Sequence, residues 1–192
     1  MNAMLRIRLI AVFAVLALLA GCAGVVNKAS QRFADNLGGA ILNQDDPGTV
    51  RDGLPAYLLL LDALLEGDPK NSGTLLAAAR LTGAYAGGFV AEPERAKHLA
   101  NRAFGYARRA TCERNPPLCA ALGQPFDAFS AAAGKVGAKD IDLLYGLASA
   151  WAGRIQQDSG DWNAIADLPK VQLLVERVLV LNPNYADGEP HM

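Results

Sequence analysis

The sequence predicts an all-α protein, an irregular array of antiparallel helical hairpins wound as an α-α superhelix. Three observations carry that expectation. Ala and Leu dominate the 192 residues while Thr is scarce, a composition that favours helix. Apolar residues recur at three- and four-residue intervals, and no period-two run of strand length appears. Punctuation such as Gly67-Asp68-Pro69 and Asn115-Pro116 falls where these periodic stretches end. Charge narrows the function classes. With 18 basic against 19 acidic residues the formal charge is −1, and a nucleic-acid binder would need a basic excess to neutralise phosphates. An aromatic content of 7% also argues against base stacking.

Residues 1–21 read as a lipoprotein signal peptide. Arg6 and Arg8 form a cationic start, and Ile10 to Leu19 form a ten-residue apolar run, too short for a spanning helix of about 20 residues. The run ends in Leu19-Ala20-Gly21-Cys22, which resembles the bacterial lipobox. That resemblance implies cleavage before Cys22 and a diacylglyceryl group on its thiol. The alternative is an ordinary secretory leader with a chance cysteine. Each buried acyl CH₂ contributes about 0.8 kcal/mol, so a multiply acylated Cys22 holds a domain durably at a bilayer. Cleavage leaves 171 of the 192 residues, one modest domain, and the loss of Arg6 and Arg8 takes the basic count from 18 to 16. Ala23 follows the cysteine, and not the Asp that resembles an inner-membrane retention signal. The expected address is therefore the bacterial outer membrane, lipid-anchored and facing the periplasm. Residues 22–35 are expected to be a lipidated tether and 36–192 the helical domain.

The elements follow in order. Asp46-Pro47 starts a helical stretch expected to break near Gly53-Leu54-Pro55 and to resume as Ala56 to Glu66, with Leu58, Leu61, Leu64 and Leu65 as its buried stripe. Asn71-Ser72 caps a helix running to about Val90, whose Gly83, Gly87 and Gly88 fit a closely approaching neighbour. Glu92-Pro93 opens the next helix, with Pro in the first turn, where its missing N–H costs nothing. Ala96, Ala100, Ala103, Ala107 and Ala110 are its apolar strip, and Arg95, Arg102, Arg108 and Arg109 read as a solvated face. After Asn115-Pro116 come a short segment from Phe126 to Ala133 and a Gly134–Gly137 break. Asp140 is expected to cap a helix buried through Leu144, Leu147, Ala148, Trp151 and Ile155. A loop through Asp158–Asn163 leads to Pro169 and a last helix ending at Asn182-Pro183, apolar at Val171, Leu174, Val175, Val178 and Leu181.

Three helices carry one apolar or small residue per turn ahead of a terminating proline. These are Tyr57, Leu61 and Leu64 before Pro69, Ala103, Ala107 and Thr111 before Pro116, and Val171, Val175 and Val178 before Pro183. This is the pattern of the second helix of a tetratricopeptide (TPR) repeat, although the prolines stand 47 and 67 residues apart and not 34. An irregular TPR-like array results, with an unrelated α-bundle as the alternative.

Cys112 and Cys119 flank Asn115-Pro116-Pro117. In the periplasm such a pair can oxidise, and a turn can bring the two Cα atoms within the roughly 4.4–6.8 Å a disulfide needs. Free buried thiols and a metal site are the alternatives. A metal would need further ligands, and neither His98 nor His191 stands at a ligand spacing from the thiols. No metal and no cofactor is expected.

Two longer stretches carry a resemblance. Ile41-Leu42-Asn43-Gln44-Asp45-Asp46-Pro47, followed by Thr49 to Gly53, Pro55 to Asp62 and Glu66 to Pro69, resembles the N-terminal hallmark of the TatT family. Asp161-Trp162-Asn163-Ala164-Ile165-Ala166-Asp167-Leu168-Pro169 is similar to that family's segment ahead of a later repeat, and the lipobox and the Cys112/Cys119 pair also fit. The resemblance implies a TPR-like periplasmic lipoprotein, the T component of a TRAP transporter. It implies a DctP-type solute-binding protein as partner and a small apolar or organic-acid ligand delivered toward the permease. Family members continue for several further helices, so the last apolar face is expected to lie uncovered and the chain to be truncated at its C-terminus. An uncovered face favours a homo-oligomer.

Candidate ligand or partner contacts are Asn43, Gln44, Asp45, Asp46, Trp162 and Asn163. Against them stand an N-cap for Asp45 or Asp46, a core or staple position for Trp162, and a loop or cap role for Asn163. No catalytic residue is expected. Adjacent Asp45 and Asp46 point in different directions, and no G-x-S-x-G elbow or H-E-x-x-H occurs. His98 and Cys112 would lie about 21 Å apart along one helix. A scaffold for envelope assembly is the competing binding role.

Overall fold

The computed structural model describes residues 43–191, and Cys22 with the leader and tether lies outside the described residues. The chain divides into two units, residues 1–50 and 51–192. Of the first, residues 43–50 are described. They hold a turn and the start of α1, which runs Pro47–Gly67. Of the other helices among the described residues, the second unit carries α2 Ser72–Phe89, α3 Pro93–Arg114, α4 Pro116–Ala121, α5 Phe126–Ala133, α6 Ile141–Gln157, α7 Trp162–Ile165 and α8 Leu168–Leu181. Short 3₁₀ turns precede α6 (Ala138–Asp140) and follow α8 (Tyr185–His191). Among the described residues there is no strand, and the fold is the all-α helical array the sequence predicts.

Helices α2 and α3 form the closest hairpin, α6 packs across both, and α8 pairs with α6. The small α4 and α5 carry the chain between these pairs. The alanine strip of α3 lets its neighbours approach, because Ala96, Ala100, Ala103, Ala107 and Ala110 are all buried. On α6, Leu144, Leu147, Ala148, Trp151 and Ile155 are buried as the periodicity requires. A single apolar cluster runs from Leu65 through Leu75, Phe129 and Trp151 to Val178. Trp151 is its aromatic centre, with Phe104 at 5.1 Å and Phe129 edge-on at 5.9 Å.

Several expectations need correction. Helix α1 does not break at Gly53-Leu54-Pro55; Pro55 lies inside one continuous helix. An interior proline costs about 3 kcal/mol through a lost hydrogen bond and a crowded carbonyl. Leu54 and Leu65 are buried and Leu58 and Leu61 half-buried on one side of α1, and each fully buried leucine contributes roughly 1.5–3 kcal/mol, enough to outweigh that cost. The buried stripe is therefore Leu54-Leu58-Leu61-Leu65, and Leu64 is 52% exposed. Asp62 sets this rotation by pairing with α3. Asp140 does not cap α6 with its side chain, because its carboxylate is held by Arg114 at 2.8 Å. A close neighbour explains only one of the three α2 glycines. A Cβ on Gly83 would touch Ala103 Cβ at 3.8 Å, while Gly87 and Gly88 face open space. The tightest approach is at Gly146, where a Cβ would lie 2.9 Å from Leu76 Cδ2.

The last apolar face is covered. Val171, Leu174 and Val178 are buried in the cluster beside α5 and α6, and Tyr185 of the final turn packs on Tyr145 at 5.4 Å. The stripe is narrow enough for the preceding helices to fill.

Candidate functional site

At the start of α1 the Asp46 carboxylate accepts from the Gly48 N–H at 2.9 Å, the Thr49 N–H at 3.1 Å and the Thr49 hydroxyl at 2.7 Å. It is thus an N-cap that satisfies donors the helix leaves orphaned. The Gln44 side-chain oxygen accepts from the Asp46 N–H at 3.3 Å. Asn43 and Asp45 are exposed beside them. Of the four polar residues, Asp46 has its carboxylate occupied by the backbone.

Trp162 stands at the first position of α7 and is 81% exposed, so it is neither a core nor a staple residue. Asp161 caps this short helix by accepting from the Asn163 N–H at 2.9 Å, which fixes Asn163 beside the indole. The loop is tied to α3 by the Lys97 ammonium, which donates to Asp158 at 2.8 Å. That bond, foremost among several carboxylate contributions, holds the lysine above its ordinary pKa. A solvent-facing tryptophan is the type of residue that anchors protein interfaces.

Cys112 and Cys119 are joined by a disulfide, with Cα atoms 4.8 Å apart. The bond clamps the end of α3 to α4 across Asn115, whose side-chain oxygen accepts from the Leu118 N–H at 3.1 Å.

A cleft between α1 and α3 escaped the sequence reading. Arg102, Tyr106 and Arg109 form one wall, and Asp62, Leu65, Glu66 and Pro69 the other. The Tyr106 hydroxyl donates to Asp62 at 2.5 Å and accepts from Arg102 Nε at 2.9 Å, while Arg102 Nη2 donates to Asp62 at 2.6 Å. Burial pushes the phenol above its ordinary pKa, its hydrogen bond to Asp62 adds to the rise, and the Arg102 charge opposes it. Arg109 Nη2 donates to the Pro69 carbonyl at 2.8 Å. Both guanidinium carbons lie within 5.9 Å of the Tyr106 ring centroid. Of the four arginines expected to be a solvated face, Arg102 and Arg109 therefore engage α1 and its following turn, Arg95 donates to the Tyr85 hydroxyl of α2 at 3.4 Å, and Arg108 is exposed. The legible signal was the i, i+4, i+7 spacing of residues 102, 106 and 109, which stacks them on one helix face.

Among the described residues no group of three or more His, Cys, Asp or Glu side chains is placed to hold a metal, and no helix is long and apolar enough to cross a membrane. No curated protein matches the chain. A family match is found with TAtT, described as the TRAP transporter T-component, over residues 43–192. It spans the stretches from Asn43 to Pro69 and from Asp161 to Pro169 and takes in the α2/α3 and α6/α8 pairs. This chain belongs to the TAtT family, the T-component of TRAP transporters.

Proposed function

We propose that this chain is a non-catalytic lipoprotein that docks a DctP-type periplasmic solute-binding protein and helps it deliver a small ligand toward a TRAP permease. The observation that carries the reading is the family match over residues 43–192. The exposed Trp162 supports it, since an indole buries a large area on docking at little entropic cost. Asn163 flanks Trp162 as a further contact. At the chain's other candidate site, Asn43, Gln44 and Asp45 are the proposed contacts, with Asp46 retained as the cap beside them. Lipidation at Cys22 and an outer-membrane address rest on Leu19-Ala20-Gly21-Cys22 and Ala23. Exposed Leu59, Leu60 and Leu64 on α1 support self-association into a homo-oligomer.

The test is a pulldown of the full chain from detergent-solubilised envelopes. A solute-binding protein is expected among the specific preys, with Trp162→Ala lowering its recovery about tenfold, the loss expected of an interface anchor. Recovery of only barrel-assembly or peptidoglycan-binding proteins would overturn the reading. Radiolabelled palmitate is expected to enter the wild-type chain and not Cys22→Ser.

A further inference from the structure

The cleft between α1 and α3 has a volume of about 270 Å³, at the low end for a ligand pocket and suited to a small molecule. Its charges do not all cancel internally. Asp62 is consumed by Tyr106 and Arg102, which fix one another and leave the cleft wall pre-organised. Arg109 spends one guanidinium hydrogen on the Pro69 carbonyl, a bond that positions the group while leaving its other donors open. Glu66 makes no hydrogen bond or ion pair among the described residues. One cation and one anion therefore line the same cleft with no ion pair between them, Pro69 lying exposed at its edge and Leu65 and the Tyr106 ring buried behind it.

We propose that this cleft binds a small zwitterion of the α-amino-acid type, its carboxylate on Arg109, its ammonium toward Glu66 and its side chain along Pro69. A plain carboxylate would meet the repulsion of Glu66, and a plain amine that of Arg109. A ligand carrying both charges is attracted by each. The guanidinium matches a carboxylate through paired N–H donors, and charge-assisted bonds of this kind are about twice as strong as neutral ones. The site is open to water, so affinity is weak and selectivity resides in the charge pattern.

Titration of the full chain in detergent, followed by NMR or calorimetry, separates the terms with three probes of one shape. Leucine carries both charges, isocaproate only the carboxylate and isoamylamine only the ammonium. Leucine is expected to bind at least about tenfold more tightly than either single-charge probe. Glu66→Gln should bring leucine down to the level of isocaproate while leaving isocaproate no weaker. Arg109→Gln should bring leucine down to the level of isoamylamine. The Glu66 variant keeps the Arg109–Pro69 bond, so it reads the site even if the Arg109 variant loosens the turn. Isocaproate binding as tightly as leucine, an unaffected Glu66→Gln protein, or no binding of any probe would each overturn the proposal. The partner protein is absent from the assay, so failure here leaves the docking role standing.

Discussion

Arg114 shows how much one side chain can organise. From the last turn of α3 it donates through Nη1 to Asp142 at 2.7 Å and through Nη2 to Asp142 at 3.0 Å, to Asp140 at 2.8 Å and to the Lys139 carbonyl at 3.2 Å. It thereby joins α3 to the start of α6. Burial alone would push the Asp142 carboxyl up, but the Arg114 hydrogen bonds and charge, the Leu143 N–H and the Arg80 charge together bring it below its usual value of 3.8. A carboxylate depressed on folding stabilises the native state above the unfolded pKa and loses that contribution as pH falls through the folded one. The melting temperature should therefore hold down to about pH 4 and fall below it, in line with the ordinary aspartate pKa. Asp142→Asn should lower the melting temperature at pH 7 and give a shallower acid limb. The Asp142 side chain is 43% exposed, so solvent screening keeps the effect modest. An acid limb parallel to wild type would assign the linkage to other groups.

At the scale of elements, helix propensity and packing give opposite answers at two glycines. Gly87 in α2 meets open space, so Gly87→Ala should gain most of the roughly 1 kcal/mol that alanine holds over glycine in a helix. Gly146 in α6 sits where a Cβ would come within 2.9 Å of Leu76 Cδ2. Leu76 is buried, so its tip has little room to yield, and overpacking of this kind costs about 1–3 kcal/mol. Denaturant midpoints should rise for Gly87→Ala and fall or stay level for Gly146→Ala; equal gains would mean the core around Leu76 repacks freely. The same contrast explains what was legible. The alanine strip of α3 and the stripes of α6 and α8 could be read because periodicity reports the side each helix buries. The rotation of α1 could not, because apolar residues cover it nearly all round and Asp62 chooses the face by pairing with Arg102 forty residues away. The spacing of residues 102, 106 and 109 showed that they share a face of α3 but not that the face meets α1, since an arginine bound across helices and one in solvent look alike in sequence. Trp162 was ambiguous because an indole is as often core as contact.

For the second unit as a whole, the continuous apolar cluster sets the cooperativity. Repeat arrays whose members touch only their neighbours can lose hairpins one at a time. Here α6 packs on α2, α3 and α8, and the cluster passes from Leu65 to Val178 without a gap, so neither pair keeps a core of its own once the other opens. One unfolding transition is expected. The Cys112–Cys119 disulfide acts on that transition through the denatured chain, because the closed loop limits its conformations. For a loop of this size the chain-entropy relation gives about 2.5 kcal/mol, an upper figure if native strain or residual structure intervenes. Replacing both cysteines by serine should therefore lower the denaturant midpoint, leave the helical circular dichroism at 25 °C unchanged, and keep a single transition whose slope is no smaller than that of the wild type. The slope is the decisive quantity, since it scales with the surface exposed on unfolding. If the double variant unfolds in two steps, the bond is holding together two units that the shared core was thought to unite, and the array is modular after all.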